Sequence, residues 1–382
     1  MKKFFTSLVI LFLGIGLGIL IWGVFFDGDE FIESRRVFPT QPQENYQGYY
    51  YNSLEKDEKI AYELIMAEIG NFPKKIRIPV IDDEGLSDVF DALHYDNADF
   101  FFLGENCNIE TTSFGTCYFV PKYVMSYTRY ESAMEELGKI KQEVLAATAN
   151  LSDDFDKELY IHDLIVENCS YVEEIGGEYS SSYGCLVNGK ASCEGYAKAM
   201  KYLLDAVDIE NYMIYGVTET DSEDDDGHAW NVAKINSDYY HVDATWDDPV
   251  DAESGNKYSY FNLTDEEISK THTADKRFEK VCKETAENYY VKNGIVFDEY
   301  NAETVNSLTS EFAKQMRLGE DTVSFKMTNK EALREAEKEL FDMNGIYGVM
   351  LMASTVSGKS MDSDEIMYAI DDTHMIVIIT DY

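Results

Sequence analysis

At 382 residues the chain is long enough for two or three domains and at least one sizeable core. Its hydrophobic fraction of 45% is that of an ordinary globular protein. A formal net charge of −40 repels phosphate backbones and anionic headgroups, so nucleic acid and lipid-surface substrates are set aside.

Lys2 and Lys3 precede an apolar run from Phe4 to Phe26, and Asp27, Asp29 and Glu30 follow directly. The run is long enough to span the hydrocarbon core and exceeds the ~7–15 residues of a secretory signal's apolar region. Basic residues before it and acidic ones after it place the N-terminus inside. The expectation is a signal-anchor transmembrane helix over 1–26, with late cleavage as the alternative. The cell-membrane location is then single-pass, with a cytoplasmic N-terminus and an extracytoplasmic body at the cell surface. Gly14 and Gly18 have the spacing of a helix-pairing motif. Residues 27–48, polar with Pro39 and Pro42, read as a stem.

Residues 49–125 read as a small α/β domain. A helix over Leu54–Ile69 is stopped by Gly70, and a β-type run Lys75–Ile81 precedes a helix over Leu86–His94. Phe100–Leu103 and Cys117–Tyr127 read as strands. Cys107 and Cys117 flank the short polar loop NIETTSFGT, a spacing that allows a hairpin-like bridge. Cys169, Cys185 and Cys282 have no evident partner. Without a C-x-x-C pair, and with six scattered histidines, no structural zinc, other metal or cofactor is expected.

The second domain, 126–280, opens with helical stretches Glu131–Ala149 and Asp154–Cys169. A Gly/Ser-rich passage (GGEYSSSYG) leads to Cys185 and Cys193. From Cys193 the apolar residues Tyr196, Met200, Leu203, Leu204 and Val207 fall at helical spacing. Tyr212–Val217, His228–Ile235 and Tyr239–Trp246 read as strands. The tail, 295–382, reads as helix, strand Thr322–Met327, helix Glu331–Met343 with a Thr328/Glu331 capping box, strand Tyr347–Met352 and strand His374–Thr380. That order matches the 49–125 domain element for element and raises an internal duplication as a hypothesis. Poor residue-level similarity makes chance its rival, and a different strand order in the two domains would sink it.

Three segments carry chemistry. In GKASCEGYAKAM, Gly189 and Ser192 break the chain before the helix, placing Cys193 at a helix N-terminus. There the macrodipole and unpaired N–H groups favour a thiolate and can donate to an oxyanion. A free cysteine is otherwise a small buried hydrophobe. Gly195 admits a close neighbour. In GHAWNVAKI, His228 begins a strand after the acidic loop DSEDDDG. In YYHVDATWDDP, Asp243 lies mid-strand, where aspartate is disfavoured unless its carboxylate has a partner such as an imidazole N–H. If Asn236–Ser237 is a two-residue turn, Ile235 pairs with Asp238, His228 with Thr245 and Trp230 with Asp243. His228 and Asp243 then share a face as diagonal neighbours, which a three-residue turn would forbid.

These three segments, in this order and spacing, resemble the transglutaminase-like superfamily, and specifically its bacterial, membrane-anchored type. The resemblance covers about residues 155–250. It implies an α+β protein whose papain-like transglutaminase core packs N-terminal helices on an antiparallel sheet. Two small α/β domains flank that core, after one transmembrane helix. It implies Cys193 as nucleophile, His228 as general base and acid, and Asp243 as the residue orienting the imidazole, with Trp230 and Trp246 packed beside them. The implied function is an extracytoplasmic cysteine hydrolase or acyltransferase acting on amide bonds of a protein or peptide, cell-envelope material included. It works through a thioester, with hydrolysis favoured over cross-linking. The alternatives are a non-catalytic binding or scaffolding protein that keeps the fold, and a redox protein in which Cys185 resolves Cys193. Tyr171 and Tyr183 are candidate second oxyanion donors, and His241 is a structural imidazole. Asp221–Asp226 lacks the spacing of a calcium loop and reads as solvated.

Overall fold

The computed structural model describes residues 37–43, 46, 48–104, 106–113, 115–218, 227–248, 256–320, 322–359 and 366–380. They divide at Tyr130/Glu131 into two compact units. Among the described residues no helix is long and apolar enough to cross a membrane, which overturns the expected single-pass membrane location. Even the 22-residue helix Tyr127–Thr148 carries Arg129, Glu131, Glu135, Glu136 and Lys139, charges that hydrocarbon does not tolerate. The expected anchor over 1–26 and the first part of the stem lie outside the described residues, as does the acidic stretch Asp221–Asp226.

In the first unit, helices α1 (Tyr49–Ser53), α2 (Lys56–Glu68) and α3 (Asp83–Tyr95) accompany strands β1 (Ile76–Ile78), β2 (Asn108–Thr111) and β3 (Cys117–Val120). A reciprocal Glu55/Glu58 capping box starts α2, and Asp82 caps α3 through the Gly85 N–H. The strands form an antiparallel sheet of order β1-β3-β2, with Phe119 facing Ile76 on one side and Ile109 on the other. Two strand expectations fail here. Phe100–Leu103 makes only a single bridge, Leu103 to Tyr123, and β3 stops before Pro121, which has no N–H for the ladder. Cys107 and Cys117 are free thiols. The register sets Cys117 against Thr111, so the two sulfurs are offset along the hairpin and do not face one another.

The second unit begins with helices α4 (Tyr127–Thr148) and α5 (Asp154–Asn168), then the short parallel pair β4 (Ser170–Tyr171) and β5 (Lys190–Ala191), then α6 (Cys193–Ala206). Strands β6 (Asn211–Thr218), β7 (Gly227–Ile235) and β8 (Asp238–Val242), helix α7 (Asp265–Ile268) and strand β9 (His272–Ala274) follow, giving an antiparallel sheet of order β8-β7-β6-β9. Tyr196, Met200, Leu203 and Leu204 of α6 pack with Val242, Ala233 and Phe261 in the core beneath this sheet. Asn231 Nδ2 donates to the Ala197 carbonyl at 2.9 Å and ties β7 to α6. The β7–β8 turn has the expected register: Ile235 pairs with Asp238, and the ladder runs to Asn231 and Val242. Asp243 is not mid-strand as expected. It lies one residue past β8, where its carboxylate accepts from the Thr245 and Trp246 N–H groups and turns the chain out of the sheet.

Beyond α8 (Tyr289–Lys292), the tail holds β10 (Val296–Phe297), α9 (Ala302–Leu318), β11 (Thr322–Met327), α10 (Lys330–Glu337), α11 (Gly345–Ser357), β12 (Met367–Asp371) and β13 (Ile376–Thr380). Leu308, Phe312, Phe325, Leu333, Met350 and Ile376 form its core. Three expectations are corrected. Tyr347–Met352 is helix and not strand, β12 went unread, and α10 is capped by Asn329, whose Oδ1 accepts from the Glu331 and Ala332 N–H groups. Thr328 instead donates to Asp298. The sheet order is β10-β11-β13-β12, with β10 parallel to β11 and the rest antiparallel. With β10 set aside, the strand order first-third-second is shared with the 49–125 segment, but the tail has two helices, α10 and α11, between its first two strands where that segment has α3 alone, so the expected element-for-element match does not hold.

Candidate active site

Cys193 opens α6 directly after Ser192 in extended conformation, and its thiol is half-buried. The first-turn N–H groups of this helix have no carbonyl of their own helix to bond. Gly195 is required by packing. A Cβ there would sit 2.4 Å from the Tyr179 carbonyl oxygen and 2.6 Å from Ala191 Cβ, so the 179–181 segment lies flush on the first turn. Buried Lys198 clamps the same segment, ion-paired with Glu194 at 2.6 Å and reaching the Ser180 carbonyl at 3.4 Å.

His228 sits at the start of β7 with its Nε2 2.6 Å from Asp243 Oδ2, both residues buried. The Cys193 thiol lies close enough to the same ring to act on its proton affinity. Burial works against a charged ring, yet the Asp243 carboxylate and then Cys193 outweigh it and raise the His228 imidazole to about 10. Burial alone would raise the Asp243 carboxyl; His228 and His272 reverse this and hold it well below the usual range.

His272 is the residue that the sequence did not announce. Its Nε2 lies 3.0 Å from the same Asp243 Oδ2, and its ring is fully enclosed. It comes from β9, on the far side of β6 from His228, and nothing in the spacing of THTADK marks it. Trp230 and Trp246 flank the pair: the Trp230 ring lies 5.9 Å from His228 and 5.1 Å from His272, and Trp246 lies 4.6 Å from His272. Trp230 also donates to His241 Nδ1 at 3.1 Å, while His241 Nε2 donates to Asp265 at 3.0 Å, so both nitrogens of that imidazole are committed. Of the two tyrosines considered as oxyanion donors, Tyr183 is buried with its hydroxyl on Glu136, and Tyr171 is exposed in β4.

His228, Asp243 and His272 have the donor types of a metal site, as do His241, Asp265 and Cys282. In the first cluster, Asp243 Oδ2 occupies the point on which both Nε2 atoms converge, and backbone amides pin the other carboxylate oxygen. The arrangement is that of a hydrogen-bonded cluster.

Residues 140–244 match the family model of the Transglutaminase-like superfamily. This stretch is a transglutaminase-like domain. It contains Cys193, His228 and Asp243 but ends short of His272. No curated protein matches the chain. Similar solved structures include the following three. A candidate cysteine protease from Cytophaga hutchinsonii is 14% identical over 37% of this chain and 61% of its own, at a TM-score of 0.25. A TGase is 14% identical over 48% and 53%, at 0.27. A candidate protease from Parabacteroides distasonis is 13% identical over 36% and 30%, at 0.22. The chain thus spans less than two thirds of each, and the assignment of the transglutaminase-like domain rests on the family match.

Proposed function

We propose that the transglutaminase-like domain is a cysteine hydrolase or acyltransferase acting on amide bonds of a protein or peptide. Cys193 is its nucleophile, His228 its acid and base, and Asp243 the group that orients the imidazole. The observation that carries this reading is the His228 ring, bonded through Nε2 to Asp243 at 2.6 Å and neighboured by the Cys193 sulfur. With Nε2–H committed to the carboxylate, the remaining ring nitrogen is the one left to take the thiol proton.

In the first half-reaction the Cys193 thiolate attacks the amide carbonyl, and first-turn N–H groups of α6 receive the developing oxyanion. The C–N bond breaks as the His228 imidazolium gives its proton to the departing nitrogen, leaving a thioester on Cys193. In the second, His228 takes a proton from water, which attacks the thioester and releases a carboxylic acid and the thiolate. An amine in place of water gives acyl transfer. Water needs no binding site of its own, so hydrolysis is the default outcome.

The test is incubation with glutamine-containing peptides, with and without a labelled primary amine, followed by mass spectrometry of peptides and of Cys193. The expected results are deamidated or cleaved peptide, a trapped acyl group on Cys193, and loss of both in Cys193→Ala. Turnover that persists in Cys193→Ala, or an intact triad inert towards every peptide offered, overturns the reading.

A further inference from the structure

One oxygen of Asp243 serves two imidazoles. A carboxylate only accepts hydrogen bonds, so at Oδ2 both His228 Nε2 (2.6 Å) and His272 Nε2 (3.0 Å) are donors. On the other side of His272, Nδ1 lies 2.7 Å from the Thr271 hydroxyl, which can donate to it and so hold the proton on Nε2. Asp243 Oδ1 is taken by the Thr245 and Trp246 N–H groups at 2.9 and 3.3 Å, so the carboxylate cannot swing to give each imidazole its own oxygen.

The sheet builds this sharing deliberately. Gly216 of β6 pairs with His228 on one side and with Ala274 of β9 on the other, which places His228 and His272 on strands flanking β6. A Cβ at Gly216 would come within 2.7 Å of the Trp230 indole, so the missing side chain is what lets that indole pack against both histidines.

We propose that His272 is a positioning residue of the reactive centre: it fixes the Asp243 carboxylate and, by donating to the oxygen that His228 uses, limits the hold of Asp243 on the His228 proton. The inference rests on the reading of Cys193, His228 and Asp243 as the reactive triad. A carboxylate with one donor at Oδ2 is more basic there than one with two, and it stabilises the neighbouring imidazolium more strongly. An imidazolium held too tightly is a poor acid for a leaving amine, because proton transfer is most effective when acid strength suits the working pH. Among the described residues, the titratable groups facing the pair and its carboxylate are Cys193 from α6, Asp243 and Asp247 beyond β8, His241 from β8 and Tyr260.

The readout is alkylation of Cys193 by iodoacetamide, followed on the full chain from about pH 5 to about pH 11 by mass spectrometry of the Cys193 peptide. The upper step of this profile reports loss of the His228 proton. His272→Leu removes the second donor and is expected to move that step up by about one pH unit. His272→Gln, whose amide can donate to the same oxygen, returns most of the shift. Thr271→Val, which frees the tautomer, moves the step the same way by less. His228→Ala is run in parallel. Should Cys193 react identically in His228→Ala, the triad reading fails. Should His228→Ala abolish the upper step while His272→Leu leaves it in place, whatever its effect on melting, only the role of His272 is overturned. If His272→Leu does not fold, an unshifted step in Thr271→Val overturns it instead.

Discussion

Glu158 of α5 is fully buried, and its two oxygens are treated unequally. Oε2 accepts from Asn262 Nδ2 at 2.7 Å, while Oε1 and the neighbouring amide's Oδ1 have no hydrogen-bond partner. A proton on Oε1 directed at Asn262 Oδ1 would satisfy both at once as a closed acid–amide pair. Burial pushes the same way and raises the Glu158 carboxyl from 4.5 to about 8, against the opposing pull of Asn262 and His162. The folded state therefore binds this proton more tightly than the unfolded chain. Its stabilising effect is complete below about pH 4.5 and is lost progressively as pH rises to about 8. A rise of roughly 3.5 units at about 1.4 kcal/mol each gives a ceiling of about 5 kcal/mol. Water admitted on ionisation reduces this to roughly half. In Glu158→Gln the amide donates to Asn262 Oδ1 at every pH. Urea unfolding of both proteins should give nearly equal stabilities near pH 5 and a Gln advantage of about 2–3 kcal/mol near pH 8–9. Asp247 also titrates in this window but is common to both proteins, whereas His162 is electrostatically linked to Glu158 and its response is part of the measured difference. An offset that does not change with pH, or a Gln variant less stable at pH 8, would refute the reasoning.

Asp243→Asn keeps the shape of the side chain, but its oxygen is claimed by the Thr245 and Trp246 N–H groups, so its NH₂ meets two imidazole N–H donors. His228 must then accept at Nε2 and keep its proton towards Cys193. Peptide turnover should fall by about 10³-fold or more with an unchanged circular dichroism spectrum, and near-normal turnover would contradict this. Gly195→Ala places a methyl 2.4 Å from a backbone carbonyl and 2.6 Å from Ala191 Cβ, with no flexible group to yield. A loss of about 1–3 kcal/mol in urea unfolding is expected, and a wild-type midpoint would show that the 179–181 segment moves freely. Trp230→Phe leaves the buried His241 Nδ1 without its donor and should cost about 1–3 kcal/mol by the same measurement; no change would mean that a substitute donor reaches it.

The helix that begins at Cys193 and the turn at Asn236–Ser237 were legible because both are local: a chain break before a 3.6-residue period, and two β-type runs separated by two residues. That register puts His228 and Asp243 on one face of the hairpin. Asp243 was still misread as a strand residue, because its bonds to the Thr245 and Trp246 N–H groups end β8 early. His272 was invisible because its contact with Asp243 spans 29 residues and arises only when β9 pairs with β6. Helix α11 reads as a strand in sequence because GIYGVMLMASTV is apolar on every side, and a short apolar run carries neither period clearly. At α10, Asn329 stood one residue after the threonine chosen as cap, and either residue type can fill that role. The apolar N-terminal run argued for a membrane location, yet no described helix can span one.

The family match ends at residue 244, yet Asp243 is held in place by what comes after it. Its N–H donates to the Tyr260 carbonyl, Tyr260 in turn donates to Asp247, and the Tyr260 ring stands 4.8 Å from His374 in the tail. Anyone transplanting this chemistry into another scaffold would have to move these later segments as well. A graft limited to 140–244 would carry a thiol, an imidazole and a carboxylate without the partners that aim them.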